Sequence, residues 1–362
     1  MSNQIGKAFV VTSFGESHGK LIGAIVDGCP AGMSLSSEDI QMDLDRRRAE
    51  GDLSTPRHEE DKAEILSGVF NGHTTGAPIC MVIWNRDTDS TEYERLHHLP
   101  RPGRADYTAY VKYGGFSDYR GGGEFSGRIT ASFVMAGAVA RKVIALSGIE
   151  VLAHTVEIGG IPARKVSYQE IKERVAKSEV GCADPEASEL MAGAIRKARD
   201  EGDSLGGVVE VVALNVPPGV GEPIFDTLEG ELSKAFFAIP AVKGVEFGAG
   251  FAAAKMKGSE NNDPFSVEGG KITSPTNNSG GILGGISSGR PIIARLAFKP
   301  TPSIRKPQKT VNLKKMSEEE IVIGGRHDPC FVPRVVVSVE AMMCIVLADL
   351  GLRGGQIPRV NR

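Results

Sequence analysis

Several short stretches gather side chains able to do chemistry. Gly15-Glu16-Ser17-His18-Gly19 sets a hydroxyl and an imidazole between glycines. Its G-x-S-x-G spacing fits the nucleophile elbow of a hydrolase, but an elbow follows several strands and an upstream oxyanion loop. Only one strand fits ahead of Ser17, so a serine nucleophile has no support. His18 is the better candidate, because imidazole titrates near neutrality and serves as acid or base. In Arg120–Ala131, RGGGEFSGRITA, the amides of Gly121, Gly122 and Gly123, a following helix N-terminus and Arg128 are the ingredients of an anion site. Asn278–Gly289, NSGGILGGISSG, has paired glycines that permit close approach to a flat or phosphorylated ligand, without being a dinucleotide fingerprint. Gly324–Pro329 puts Arg326, His327 and Asp328 side by side, and neighbours in sequence rarely share one face, so one or two of them point into a site. Phe298–Thr310 is a proline-spaced basic segment suited to lining a phosphate pocket.

The elements that must position these groups are partly visible. Phe9–Thr12 reads as a strand entering the first motif. Ser36 caps a helix with acids in its first turn and Arg46–Arg48 at its far end, as the helix dipole favours. Thr75–Asn85 is strand-like, and the long stretch from Arg86 to Arg128 has little periodicity. Helices are expected over Ser132–Leu146, from Asp184-Pro185 to about Gly202, from Asp226, and over Pro333–Leu350. Strands are expected at Val208–Val216 and Pro291–Phe298, with Ser279–Gly289 as a loop between elements. Without regular βαβ alternation, the pattern favours an α+β fold.

Composition narrows the ligand. Net charge is −3, which gives no general field for nucleic acid. Arginines nevertheless cluster, at Arg46–Arg48, at Arg101 with Arg104, at Arg120 with Arg128 and at Arg326 with Arg334, which suggests a small polyanion. The cysteines are odd in number and lack C-x-x-C, and no zinc or Walker spacing occurs, so no metal site is expected. No signal peptide is recognised, and the longest apolar stretch, Val335–Ala348, is too short to span a membrane and contains Glu340. A cytoplasmic protein is expected.

In order and spacing, G-E-S-H-G, Asp45–Arg48, R-P-G-x-A-D at Arg101–Asp106, Arg120–Arg128, Ala241–Phe251, G-G-I-L-G-G-I-S-S-G and R-H-D-P together resemble the chorismate synthase family over essentially the whole chain. The resemblance implies one domain over residues 1–362, built as a β-α-β sandwich with helices between antiparallel sheets. It implies a lyase that converts 5-enolpyruvylshikimate 3-phosphate to chorismate and phosphate by 1,4-anti elimination, with reduced FMN required and no net redox change. It implies a homotetramer, with FMN reduced either by NADPH or by a separate flavin reductase. Among residues, His18 resembles the acid near the departing phosphate, and Asp328 the carboxylate near flavin N5. Phe125, Ser126, Gly127, Ala241, Gly284, Lys299, Pro300, Thr301, Pro302, Ser303 and Arg326 resemble FMN-binding positions. Arg48, Arg57 and Arg128 resemble substrate-binding positions, as guanidinium groups suit a phosphate and two carboxylates.

One position departs. The family pattern reads R-P-G-H-A-D, and here Arg104 replaces the histidine. Arginine stays charged, so it cannot donate a proton as imidazole does, but it stabilises an anionic flavin electrostatically. The expected outcome is a site that binds flavin and substrate and either turns over slowly or uses Arg104 as a cation. Pro240 also stands where a polar residue is commoner. Competing readings are a flavin oxidoreductase and an arginine-rich phosphosugar-binding protein.

Overall fold

The computed structural model describes residues 2–48, 53, 61–325 and 327–361. Two five-stranded sheets, antiparallel at every pairing, face a helical layer. The first runs Gln4–Ile5, Val10–Gly15, Leu21–Asp27, Ile79–Trp84, Ala63–Ile65. The second runs Val242–Phe247, Ile292–Phe298, Gly207–Leu214, Glu150–Ile158, Ile161–Pro162. Ile292, Ala294, Leu296 and Phe298 are buried while the residues between them are more exposed, the period-two pattern of a strand covered on one face.

Helix Thr130–Ala145 packs on the first sheet, and helix Val332–Arg353 on the second. The two pack on each other so closely that a Cβ at Gly137 would lie 2.2 Å from Ala341 Cβ. This small-residue contact lets two sheets share one helical layer, and the buried apolar cluster is continuous from Phe9 to Ile357. The expected α+β sandwich is therefore observed. Val332–Arg353 is long and apolar enough to cross a membrane, but its residues 335–352 are buried in the protein, with Glu340 held by Arg46 and Arg141 at 2.8–2.9 Å.

Local expectations hold where a cap or stripe marks them. Helix Ser37–Arg47 starts in a capping box from Ser36 and Asp39, and Asp184 caps Pro185–Asp200. Two differ. Arg86–Arg128 contains short helices at Thr91–Arg95 and Asp106–Lys112, too short to show a stripe. Within Ser279–Gly289 the chain forms a small hairpin, Ile282–Leu283 with Ile286–Ser287.

Candidate active site

The first motif is a turn between antiparallel strands Val10–Gly15 and Leu21–Asp27, not a strand-to-helix elbow. Ser17 is buried; its amide donates to the Gly123 carbonyl at 3.2 Å and its hydroxyl accepts from Ser126 Oγ at 3.1 Å. His18 Nδ1 lies 2.9 Å from Ser90 Oγ. The turn is thus fastened to the glycine run and to the start of helix Thr91–Arg95.

The glycine run makes room for side chains from two other segments. Gly121, Gly122 and Gly123 all take left-handed conformations, with φ of 61°, 87° and 53°. A Cβ on Gly121 would lie 2.4 Å from His18 Cδ2, and one on Gly122 would lie 2.7 Å from Arg104 Nη2. Successive glycines therefore let His18 and Arg104 approach the same turn, and the Gly122 amide is spent on the Tyr119 carbonyl.

Arg101 grips Asp106 with two bonds of 2.7 and 2.8 Å, closing the R-P-G-R-A-D loop. Arg104 then projects into a cavity of about 570 Å³, a volume suited to a cofactor. Among the described residues its guanidinium has no hydrogen bond or ion pair. Burial and then Arg101 pull its pKa down to about 10, so it is a cation at neutral pH. Lys299 donates to the Gly103 carbonyl and lines the same cavity, its pKa lowered by burial, Lys243 and Arg104.

Phe14, Phe125, Phe133 and Phe331 give this cavity aromatic walls. Of the expected flavin positions, Phe125, Gly127, Ala241, Lys299, Thr301 and Pro302 line it, and so does Pro240. Ala241 holds a φ of 74°, rare for a residue with a Cβ. Ser126, Pro300 and Ser303 belong to the same segments but do not line the cavity. Gly284 does not reach it either: it is in the separate small hairpin, and a Cβ there would meet nothing within 4 Å. Arg326 lies outside the described residues.

A flavin mononucleotide fits these residues. A planar ring system suits the aromatic walls, and Arg104 and Lys299 suit an anion. Thr301, on the cavity lining, has its Oγ1 buried without a hydrogen-bond partner, an arrangement proteins avoid unless a ligand or water completes it.

A second cavity, about 100 Å³, is lined by His18, Glu92, Tyr93, Arg101 and His327, among others. It brings the first motif and R-H-D-P to one place. His327 Nε2 donates to the Gly324 carbonyl at 2.9 Å, and burial drives its pKa to about 4, with Arg104 and Arg101 adding to the fall, so it is neutral. Asp328 is held by Arg334 at 2.8 Å.

The expected substrate arginines lie in different surroundings. Arg128 is buried, with Nη1 on Asp61 at 2.7 Å and Nε on Asn85 at 2.7 Å, so those nitrogens are committed within the protein. Arg47, beside Arg48 at the helix end, is 2% exposed and holds the other Asp61 oxygen at 2.9 Å. Burial pushes the Asp61 carboxyl up, but Arg47 and Arg128 outweigh it and hold it below its ordinary range. Arg48 is half-exposed beside Asp45 at 3.3 Å and lines neither cavity. Arg57 lies outside the described residues. Sequence reasoning also missed Ser90, Tyr93 and Asp61, which no local pattern marks.

A sequence profile of the chorismate synthase family matches residues 9–352. A chorismate synthase of Dehalococcoides mccartyi (strain BAV1) is 58% identical over 361 residues, covering 99% of both chains. One from Korarchaeum cryptofilum is 56% identical over 345 residues, covering 95% of this chain and 96% of its own. A solved structure titled "Crystal Structure of Chorismate Synthase" superposes with a TM-score of 0.78 at 34% identity, covering 96% of this chain and 93% of the other.

Proposed function

The chain belongs to the chorismate synthase family, and we propose which of its residues carry that family's reaction. The enzyme is a lyase that turns 5-enolpyruvylshikimate 3-phosphate into chorismate and phosphate. Its flavin, when bound and reduced, supplies an electron-rich ring beside the substrate. In this proposal Phe125, Gly127, Ala241, Thr301 and Pro302 cradle that ring and its side chain, with Ser126, Pro300, Ser303 and Arg326 in support. Arg104 and Lys299 balance its negative charge from within a low-dielectric cavity, where such contacts are strong.

His18 donates the proton that the departing phosphate takes, held by Ser90 at Nδ1. Asp328, oriented by Arg334, receives the ring proton. Arg48 and Arg57 take the phosphate and carboxylates, while Arg128, tied to Asp61, shapes the wall and fixes its charge. Gly284 joins the cofactor set only across a subunit boundary, in keeping with a homotetramer. We propose further that the chain acts as one domain in the cytoplasm, with NADPH or a separate reductase supplying electrons to the flavin.

The observation that carries the proposal is that His18 and Arg104 meet the same glycine turn from two cavities. The test is anaerobic phosphate release with dithionite-reduced FMN. Release that needs both substrate and reduced flavin, and that His18→Ala abolishes, is expected. Release without flavin, or stoichiometric flavin oxidation during turnover, would overturn it.

A further inference from the structure

We infer, on the reading of His18 as the acid, that Tyr93 is the positioning residue that fixes its imidazole. Helix Thr91–Arg95 is only five residues long and has no buried residue, so its own packing does not explain it. Its placement against His18 does. Ser90, at its N-terminus, meets His18 Nδ1 at 2.9 Å. One helical turn on, the Tyr93 ring meets the His18 ring edge-on, with centroids 5.2 Å apart and planes at 83°. Residues three apart share a helix face, so hydrogen bond and ring contact act together on one imidazole. Such a perpendicular pair is a favourable ring geometry.

Tyr93 is itself clamped. The Arg101 guanidinium carbon lies 5.2 Å from its ring centroid, and Arg101 is fixed by Asp106. The helix is anchored beyond it: Gly324 donates to Glu92 at 3.2 Å, Arg95 to the Val322 carbonyl at 3.1 Å, and Tyr119 to Glu94 at 2.5 Å. Tyr93 lines the cavity shared with His18 and His327 and also a smaller one of about 60 Å³, separate from the large cavity, that Arg104 reaches as well. The charged or titratable groups facing His18 are Asp118, Asp87, Asp89, Glu92, Arg101 and His327. The ring contact and the Ser90 hydroxyl both act on the imidazole without bringing a full charge to it.

The test compares Tyr93→Phe, which keeps the ring, with Tyr93→Leu and Tyr93→Met, which remove it. Of the last two, the one that unfolds with the parent's cooperativity is used. The first readout is the NMR titration of His18 in the cofactor-free protein. The second is kcat and KM for phosphate release across pH. Loss of the ring is expected to move the His18 titration by about half a pH unit or more. It should lower kcat about 10-fold with KM little changed, and Tyr93→Phe should restore both. The inference is overturned if the ringless variant matches the parent in both readouts, or if Tyr93→Phe is as impaired as it. If His18→Ala proves active, the assignment of the acid fails, while the NMR result still decides whether Tyr93 positions the imidazole.

Discussion

Arg104→Met removes a charge while keeping a long side chain in the same space. The guanidinium has no hydrogen bond or ion pair among the described residues, and the nearby Asp106 is committed to Arg101. Burial, then Arg101, lowers its pKa from 12.5 to about 10. At about 1.4 kcal/mol per unit, the folded protein disfavours the charged form by up to about 3 kcal/mol. Both folded and unfolded chains carry the proton below about 10, so the penalty is complete at neutral pH and fades only as pH rises from there toward 12.5. The Met variant should therefore be more stable without flavin. At roughly 2.1 cal/mol/K per residue over 362 residues, about 3 kcal/mol raises Tm by about 4 °C. It should bind reduced flavin about 10–100-fold more weakly, the worth of one charge-assisted contact. Scanning calorimetry of the flavin-free protein and an anaerobic flavin titration check both halves. A variant that melts below the parent, with flavin affinity unchanged, would refute the view that Arg104 is held charged for a ligand.

Arg104→His restores R-P-G-H-A-D and should raise kcat for phosphate release; a variant no faster than its parent would mean that no acid is missing. Gly121→Ala must hold a φ of 61° and place a Cβ 2.4 Å from His18 Cδ2, so it should cost about 2–4 kcal/mol in denaturant unfolding and about 100-fold in kcat. Glu340→Ala removes a buried carboxylate that accepts from Arg46, Arg141 and the Ala153 amide, and should cost about 1–3 kcal/mol by chemical denaturation. Burial raises the Glu340 pKa, but those arginines outweigh it and lower it below 4.5. Its stabilisation is thus complete above 4.5 and lost as pH falls through the lower folded value, a slope that Glu340→Gln should remove from an acid titration of stability. His327 has a folded pKa of about 4 against an ordinary 6.5, so stability is full above 6.5 and falls as pH drops toward 4; His327→Gln should flatten that slope, worth up to about 3 kcal/mol.

Much of the architecture was legible because its signals are local. Ser36 with Asp39, and Asp184 with Pro185, announce helix starts through groups only a few residues apart. Strand Ile292–Phe298 announces itself by alternation. The pairing of Leu21–Asp27 with Ile79–Trp84 has no local signal, since it joins segments separated by a long connection. The ordered motifs supplied the sandwich where periodicity gave only α+β. Helix Thr91–Arg95 escaped notice because five residues make too little stripe to read.

At the site, the motifs mark segments that the fold brings to the two cavities, but they do not say which arginines are paired within the protein. That Arg47 is buried was readable in part, because Ile40, Asp43, Leu44 and Arg47 recur at helical spacing and are the buried residues of that helix. Arg128 was not readable, because the carboxylate that engages it, Asp61, is 67 residues away in the chain. A guanidinium's role depends on whether the fold supplies its counter-charge, and no motif records that.

The balance of charge also separates the cations by task. Arg46 and Arg141 are answered by Glu340, Arg47 and Arg128 by Asp61, and Arg101 by Asp106. These groups hold walls in place. Among the described residues, Arg104 and Lys299 have no carboxylate in an ion pair, and both line the larger cavity. Lys299 also feels Arg104 as a repelling neighbour, which helps lower its pKa. A folded chain gains nothing from placing two unanswered cations side by side in a low-dielectric pocket, and a ligand anion relieves both burial and repulsion at once. The arrangement spends stability in the free protein on affinity for an anionic cofactor, which is why the charge at position 104 and the flavin should be coupled more tightly than any paired arginine in the chain.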